Sequence, residues 1–476
     1  MSPEGAAPNP WTTFVYEKPA STYRLRLAIE EASMVGAAFI GYVIQDPPSS
    51  TSGVPPVSIG EKLRFAPGSW YFDADELAVN FAGHPTAGTF YYMVARSNRV
   101  SIPEAFLWAF GTSTLWELIE FKEPVSINDM VVTPVAGLAI GEAFTQLSGW
   151  FDRYSDDTLS KALAWIFDPM KKLHDWIDKA EPRRDPAYRG WHEFRVAAGA
   201  GALSQGGSTY PALQLDVVTR LFRAPGYGEP GGTSFGFADG NVSAIRLSAT
   251  FAAGRIVDFL FDTETALLGY YARHLRRDGV DLAGWDLFVG GTAGYESGSH
   301  VWDLASDGPK NQIAMVRFPG IDVRARVFAG GMEFAGSVDV ALDFAGVEPL
   351  GMPAHGALPP GLAFPTIYLA QGYYYALGLH AAATLEAKAG PVAVGGTLRT
   401  DLFRGFTGPF IPQPAGQVVN LTDGRTLVSA WLRFRIPEPS LEFALRGNWR
   451  DRWGAVEDQR LSQQERSLLT TLAVVF

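Results

Sequence analysis

The sequence predicts a transmembrane antiparallel β-barrel of about twelve strands, with an N-terminal α-helical domain plugging or capping the lumen. Two patterns and one absence predict it. After residue 190, long stretches alternate apolar with charged or polar side chains, and before residue 190 the apolar spacing is helical. No run of about 18 consecutive apolar residues occurs, which sets aside a bundle of ordinary membrane helices.

Composition narrows the alternatives. The chain has 476 residues and no cysteine, so disulfides, thiolate zinc sites and a cysteine nucleophile are excluded. A formal charge of −11 argues against nucleic acid as partner. What remains is a large soluble domain or a barrel whose greasy outer face is diluted by a polar interior.

The strands carry the choice. Leu441, Phe443, Leu445 and Trp449 alternate with Glu442, Arg446, Asn448 and Arg450; Phe334, Val338, Val340 and Leu342 alternate with Glu333, Ser337, Asp339 and Asp343. Leu213, Leu215 and Val217 oppose Gln214, Asp216 and Arg220. Such runs exceed the roughly five or six residues usual in sandwich strands and match the roughly 9–11 of a tilted bilayer crossing. Segments of this kind lie at 191–204, 209–223, 241–252, 255–276, 282–296, 310–329, 331–345, 366–388, 390–404, 424–437, 439–452 and 466–476. The long connections 297–309, 346–365, 405–423 and 453–465 each leave an odd-numbered segment, as outward loops should if both termini face the periplasm. Only 224–240 is long where a short turn is expected.

The last strand, Leu468, Thr470, Leu472, Val474 and Phe476 on one face, resembles the C-terminal strand of bacterial outer-membrane barrels, which ends in an aromatic read by the insertion machinery. The expected location is therefore the Gram-negative outer membrane, with membrane lipid and the insertion machinery (through Phe476) as partners and a monomer favoured. Met1–Gly5 shows no export leader, so a mature chain with an added start Met is expected.

Helices are expected at 23–44, 85–97, 102–121 and 135–178, the last interrupted at Pro169, giving domains 1–188 (helical) and 189–476 (barrel). Acids and a histidine sit among the aromatics of these helices, and a buried carboxylate must be paired or neutral. A helical domain inside the lumen would let Glu117, Glu120, Asp129 and Glu142 meet inward-pointing Arg220, Arg324, Arg326, Arg433, Arg435, Arg446 and Arg450.

Three blocks, NFAGHPTAGTFYYMVAR (80–96), GTSTLWELIE (111–120) and PVSINDMVVTPVAGLAIGE (124–142), resemble a bacterial family known only as a domain of unknown function, number 3943, found in predicted outer-membrane proteins. The resemblance spans residues 70–150 and implies an envelope protein, with no activity to transfer. Read on their own chemistry, His84 is a candidate acid or base, Glu117 or Glu120 its orienting carboxylate and Ser113 a candidate nucleophile for an envelope-lipid hydrolase. Tyr91, Arg96, Trp116, Asp129 and Glu142 are candidates for ligand binding or for anchoring the domain. The histidine and carboxylates could converge on a metal, but no HExxH, EF-hand or Asp-rich loop is present, so neither metal nor cofactor is assigned. Three functions follow: a structural or partner-assembling barrel, a lipid-processing enzyme, and a gated solute conduit.

Overall fold

The computed structural model describes residues 22–44, 57–120, 123–154, 157–180, 191–223, 226–237, 242–305, 311–350, 362–363, 366–405, 417–418, 420–438, 440–456 and 459–476. The expected domain boundary at 188 and the linker before it lie outside these residues.

The N-terminal part is helical. It comprises α1 (Arg24–Ile44), α2 (Ile59–Leu63), a short strand β1 (Trp70–Tyr71), a π-helical turn (Val79–Gly83), α3 (His84–Ser97), α4 (Ile102–Ile119), β2 (Val125–Ser126), α5 (Ile127–Tyr154), α6 (Thr158–Phe167) and α7 (Pro169–Ile177). The helix expected at 135–178 is three, because Asp157 and Asp168 each cap a new start by accepting from the backbone N–H three residues on. Helices α3 and α5 run parallel and touch through glycine: a Cβ on Gly137 would lie 2.4 Å from the Gly88 carbonyl oxygen.

The remainder closes on itself. Strands β3 (Trp191–Gln205), β4 (Ser208–Phe222), β6 (Val242–Ala252), β7 (Arg255–Asp278), β8 (Asp281–His300), β9 (Asn311–Ala329), β10 (Met332–Val347), β12 (Tyr374–Ala389), β13 (Val392–Gly405), β15 (Leu421–Ile436), β16 (Leu441–Val456) and β17 (Gln459–Val475) pair antiparallel in a ring. Among the described residues the ring has twelve members, sealed by β17 on β3 and by β7 on β8. The awkward 224–240 connection holds a further strand, β5 (Gly231–Phe237), which extends the sheet along the end of β7, and two short strands, β11 (Leu362–Ala363) and β14 (Gln417–Val418), pair parallel in a separate sheet.

Period-two alternation sorts the wall into two faces. Leu215, Leu247, Val340, Leu379, Leu432, Leu445 and Leu472 are exposed on the outside, while Glu296, Asp322, His380, Asp401 and Arg452 are buried on the inside. The expected N-terminal helical domain is present, and the register of the wall residues it touches gives its position. The wall residues in the main helical core, Ala293, Tyr295, Ala314, Val316, Phe344 and Tyr375, all share the outward register. So do Phe194, Leu221 and Ile245, which pack on Leu147 and Trp150 of α5. Thr265 Oγ1, also outward, donates to the Ala139 carbonyl of α5 at 3.3 Å. The helical domain therefore lies diagonally across the outer wall from β12 to β3.

Among the described residues, the bore holds the wall's own charges. Arg425 of β15 donates to Glu296 of β8 at 2.5 Å, Arg399 of β13 grips the same carboxylate, and both arginines reach Asp401. Asp258 of β7 meets Arg450 of β16 at 2.8 Å, five places away around the ring. Such pairs cross the lumen, and the cavities between them are small, about 140 and 90 Å³.

Candidate functional site

The helical domain gathers its polar groups where α3, α4 and α5 meet the wall near the start of β12. The π-helical turn delivers Asn80 inward, and His84 follows as the first residue of α3. The parallel packing of α3 on α5 sets His84 Nε2 3.3 Å from Asp129 Oδ1. Ser113, one turn from Glu117 on α4, donates to the Asp129 main-chain carbonyl at 3.4 Å. Glu117 accepts from the Ser126 N–H at 2.7 Å.

Behind this front sits Asp73, buried and saturated with donors. Its carboxylate accepts from Asn80 Nδ2 (2.8 Å), Ser126 Oγ (2.7 Å), Asn128 Nδ2 (2.9 Å) and Tyr375 Oη (3.0 Å). Burial alone would raise its pKa, but these bonds and the nearby His84 outweigh that and hold the group below the usual carboxylate range. Asn80 Nδ2 also donates to Tyr373 Oη and Tyr375 Oη, at 2.9 and 2.7 Å, tying the cluster to the barrel. Lys62, fully buried, closes the far side: its Nζ donates to the Glu117 and Glu120 carbonyls, both at 2.5 Å, satisfying orphan groups at the end of α4. Burial draws the Lys62 pKa down against the attraction of Glu117, Glu120 and Glu123.

His84, Ser113, Glu117 and Asp129 thus come together, with Asp129 rather than Glu117 facing the imidazole. Among the described residues Ser113 makes no bond to His84, so a nucleophile–base pair is not assembled here. Glu120 stands at the edge, where burial and then Glu123 push its pKa up to about 7. Glu142 forms a separate buried knot: Arg96 Nε and Tyr92 Oη both donate to it at 2.8 Å, joining α3 to α5. Tyr91 is half-buried in the helical core, and Trp116 meets Tyr42 edge-on at 5.9 Å.

The expected anchoring of these carboxylates to luminal arginines does not occur, because the two groups lie on opposite faces of the wall. The arginines find partners from the barrel: Arg324 with Asp322 and Glu264, Arg326 with Asp286, Arg433 with Glu386, and Arg220 with Glu193 at 3.7 Å. Arg435 shares the inward register of Arg433 and is exposed at the short-turn end, and Arg446 lines the larger cavity. Asp73, Asn80, Ser126, Asn128, Tyr373 and Tyr375 are members that sequence reasoning missed. Three of them stand inside the motif blocks as polar residues amid apolar ones, a signal that was available; the wall tyrosines and Asp73 offered none. Among the described residues, no group of three or more His, Asp or Glu is arranged to hold a metal ion.

A family model for a domain of unknown function, DUF3943, matches residues 69–170, the stretch that supplies all the helical-domain members of the cluster except Lys62. No curated protein matches the chain. Among solved structures, the barrel resembles the NanC porin at 9% identity, covering 58% of this chain and 98% of that one with a TM-score of 0.24. It also resembles the translocator domain of the autotransporter NalP from Neisseria meningitidis (9% identity, 64% and 93% covered, TM-score 0.21). A third is OmpT, an outer-membrane protein of Vibrio cholerae (6% identity, 60% and 99% covered, TM-score 0.21).

Proposed function

We propose that this chain is an integral outer-membrane β-barrel protein with a structural, scaffolding role, whose barrel serves as an anchor and whose working part is the helical domain held on the outer wall. The single observation that carries the reading is the crossing of the bore by the Glu296–Arg425 and Asp258–Arg450 ion pairs, which stand in the way of a solute. Purified protein in planar bilayers tests it: no conductance steps are expected, and steady solute-sized conductance would restore the conduit.

One observation favours a second reading. The contact of His84 with Asp129, backed by ionised Asp73, places a base beside carboxyls that burial and hydrogen bonds hold in fixed geometry, as acid–base chemistry on an envelope lipid would need. Under it, His84→Ala abolishes lipid turnover while trypsin resistance persists. If turnover is unchanged by the substitution, or absent from the intact protein, the cluster serves only to hold the domain to Tyr373 and Tyr375.

A further inference from the structure

The helical domain presents a second apolar surface, on the side away from the wall. Ile29, Ile40, Val43 and Ile44 of α1 and Leu107, Phe110 and Leu115 of α4 are all exposed, although the domain has a well-packed interior. On a soluble domain so large a bare apolar face calls for a covering partner.

Its position identifies the cover. On β10, Phe344 lies under the helices and Leu342 and Val340 beside it are bare; on β12, Tyr375 is covered and Leu377 and Leu379 are bare. On β4, Leu221 is covered and Leu215 and Leu213 are bare. The barrel's greasy belt thus runs up to the helices on both flanks and continues over α4 and α1. The length of α1 fits as well: its 21 residues span about 31 Å, the thickness of a bilayer's hydrocarbon core. Its charges, Arg24, Arg26, Glu30 and Glu31, are confined to the N-terminal half, with none from 32 to 44. Arg24 and Arg26 are paired there with Glu104 and Asp178. Only 17% of its most apolar window is buried. The close Gly88–Gly137 contact is how helices pack where lipid surrounds them.

We infer that the helical domain is immersed in the bilayer beside the barrel, with lipid acyl chains covering the outer faces of α1 and α4. The inference rests on the outer-membrane reading above and extends it by naming what the domain touches. An uninterrupted-run criterion overlooks a helix such as α1, because its charges cluster at one end.

The absence of cysteine makes the test direct. Single cysteines at Ile40 (60% exposed), Leu107 (63%), Leu445 on the bare belt (46%) and Val280 in a short turn (92%) are labelled with an environment-sensitive fluorophore. The full chain is then reconstituted in phosphatidylcholine vesicles carrying acyl-chain nitroxides, with closed-barrel gel mobility as the folding control. The Ile40 and Leu107 labels should be blue-shifted and lose as much emission to the nitroxides as the Leu445 label, while only the Val280 label is quenched by aqueous iodide. Quenching of Ile40 and Leu107 by iodide, with Leu445 still buried in lipid, overturns the inference and leaves the barrel in the membrane. Iodide quenching at Leu445 as well defeats both.

Discussion

Replacing Gly137 by alanine should loosen the helical domain and leave the barrel closed. The new Cβ would stand 2.4 Å from the Gly88 carbonyl oxygen, and ordinary contact begins at 3.4 Å. Both sides of the clash are backbone, so no rotamer change relieves it; α3 and α5 must part by about 1 Å. Overpacking of this kind costs about 1–3 kcal/mol. The same displacement carries His84 away from Asp129, whose 3.3 Å contact has no slack. Trypsin resistance against urea in detergent reads the domain, and heat-modifiable gel mobility reads the barrel. With a slope of about 2 kcal/mol per molar urea, the protease midpoint should fall by about 1 M. Gly36→Ala is the control: nothing lies within 4 Å of its Cβ, and replacing a mid-helix glycine should stabilise by up to about 1 kcal/mol. If Gly137→Ala resists trypsin as well as Gly36→Ala, the parallel glycine contact described here is wrong.

Further outcomes follow from the same geometry. Lys62→Met strips the cation from the Glu117 and Glu120 carbonyls and should cost on the order of 3 kcal/mol in the same urea assay. Glu120 has a folded-state pKa raised to about 7, so it favours the folded domain below its unfolded value near 4.5 and that contribution is lost as pH climbs through 7. Glu120→Gln should therefore flatten the fall in protease resistance between pH 5 and 8, and an unchanged slope would remove Glu120 as its cause. Glu296→Gln leaves Arg399 and Arg425 sharing the Asp401 carboxylate alone, with an expected loss of about 1.5–3 kcal/mol read as a lower temperature for barrel opening on gels.

The barrel was legible because its two faces meet different solvents. Leu441, Phe443 and Leu445 against Glu442 and Arg446 expose the period directly. The reading faded where strands leave the lipid: β17 begins at Gln459, not 466, because its early residues, Arg460 to Gln464, include polar side chains on both faces. Charge alone could not fix where the helices meet the wall. Buried acids were matched to arginines by charge alone, and charge says nothing about which face of a wall they occupy. Four of the outward positions under the helices, Thr263, Thr265, Ala293 and Ala314, are small or polar where bare belt positions are large and aliphatic, and that local contrast was the missed clue. His84 and Asp129 lie 45 residues apart, and only the glycine contact between α3 and α5 brings them together.

The link from Asn80 and Asp73 to Tyr373 and Tyr375 bears on how the molecule is made. The helices come first in the chain, yet their polar cluster is finished by residues nearly 300 positions later. Until β12 is in place, the helical domain has an unfilled gap in its own interior. Final consolidation of the helical domain therefore requires the wall: its polar cluster is complete only where Tyr373 and Tyr375 of the cylinder are already in position.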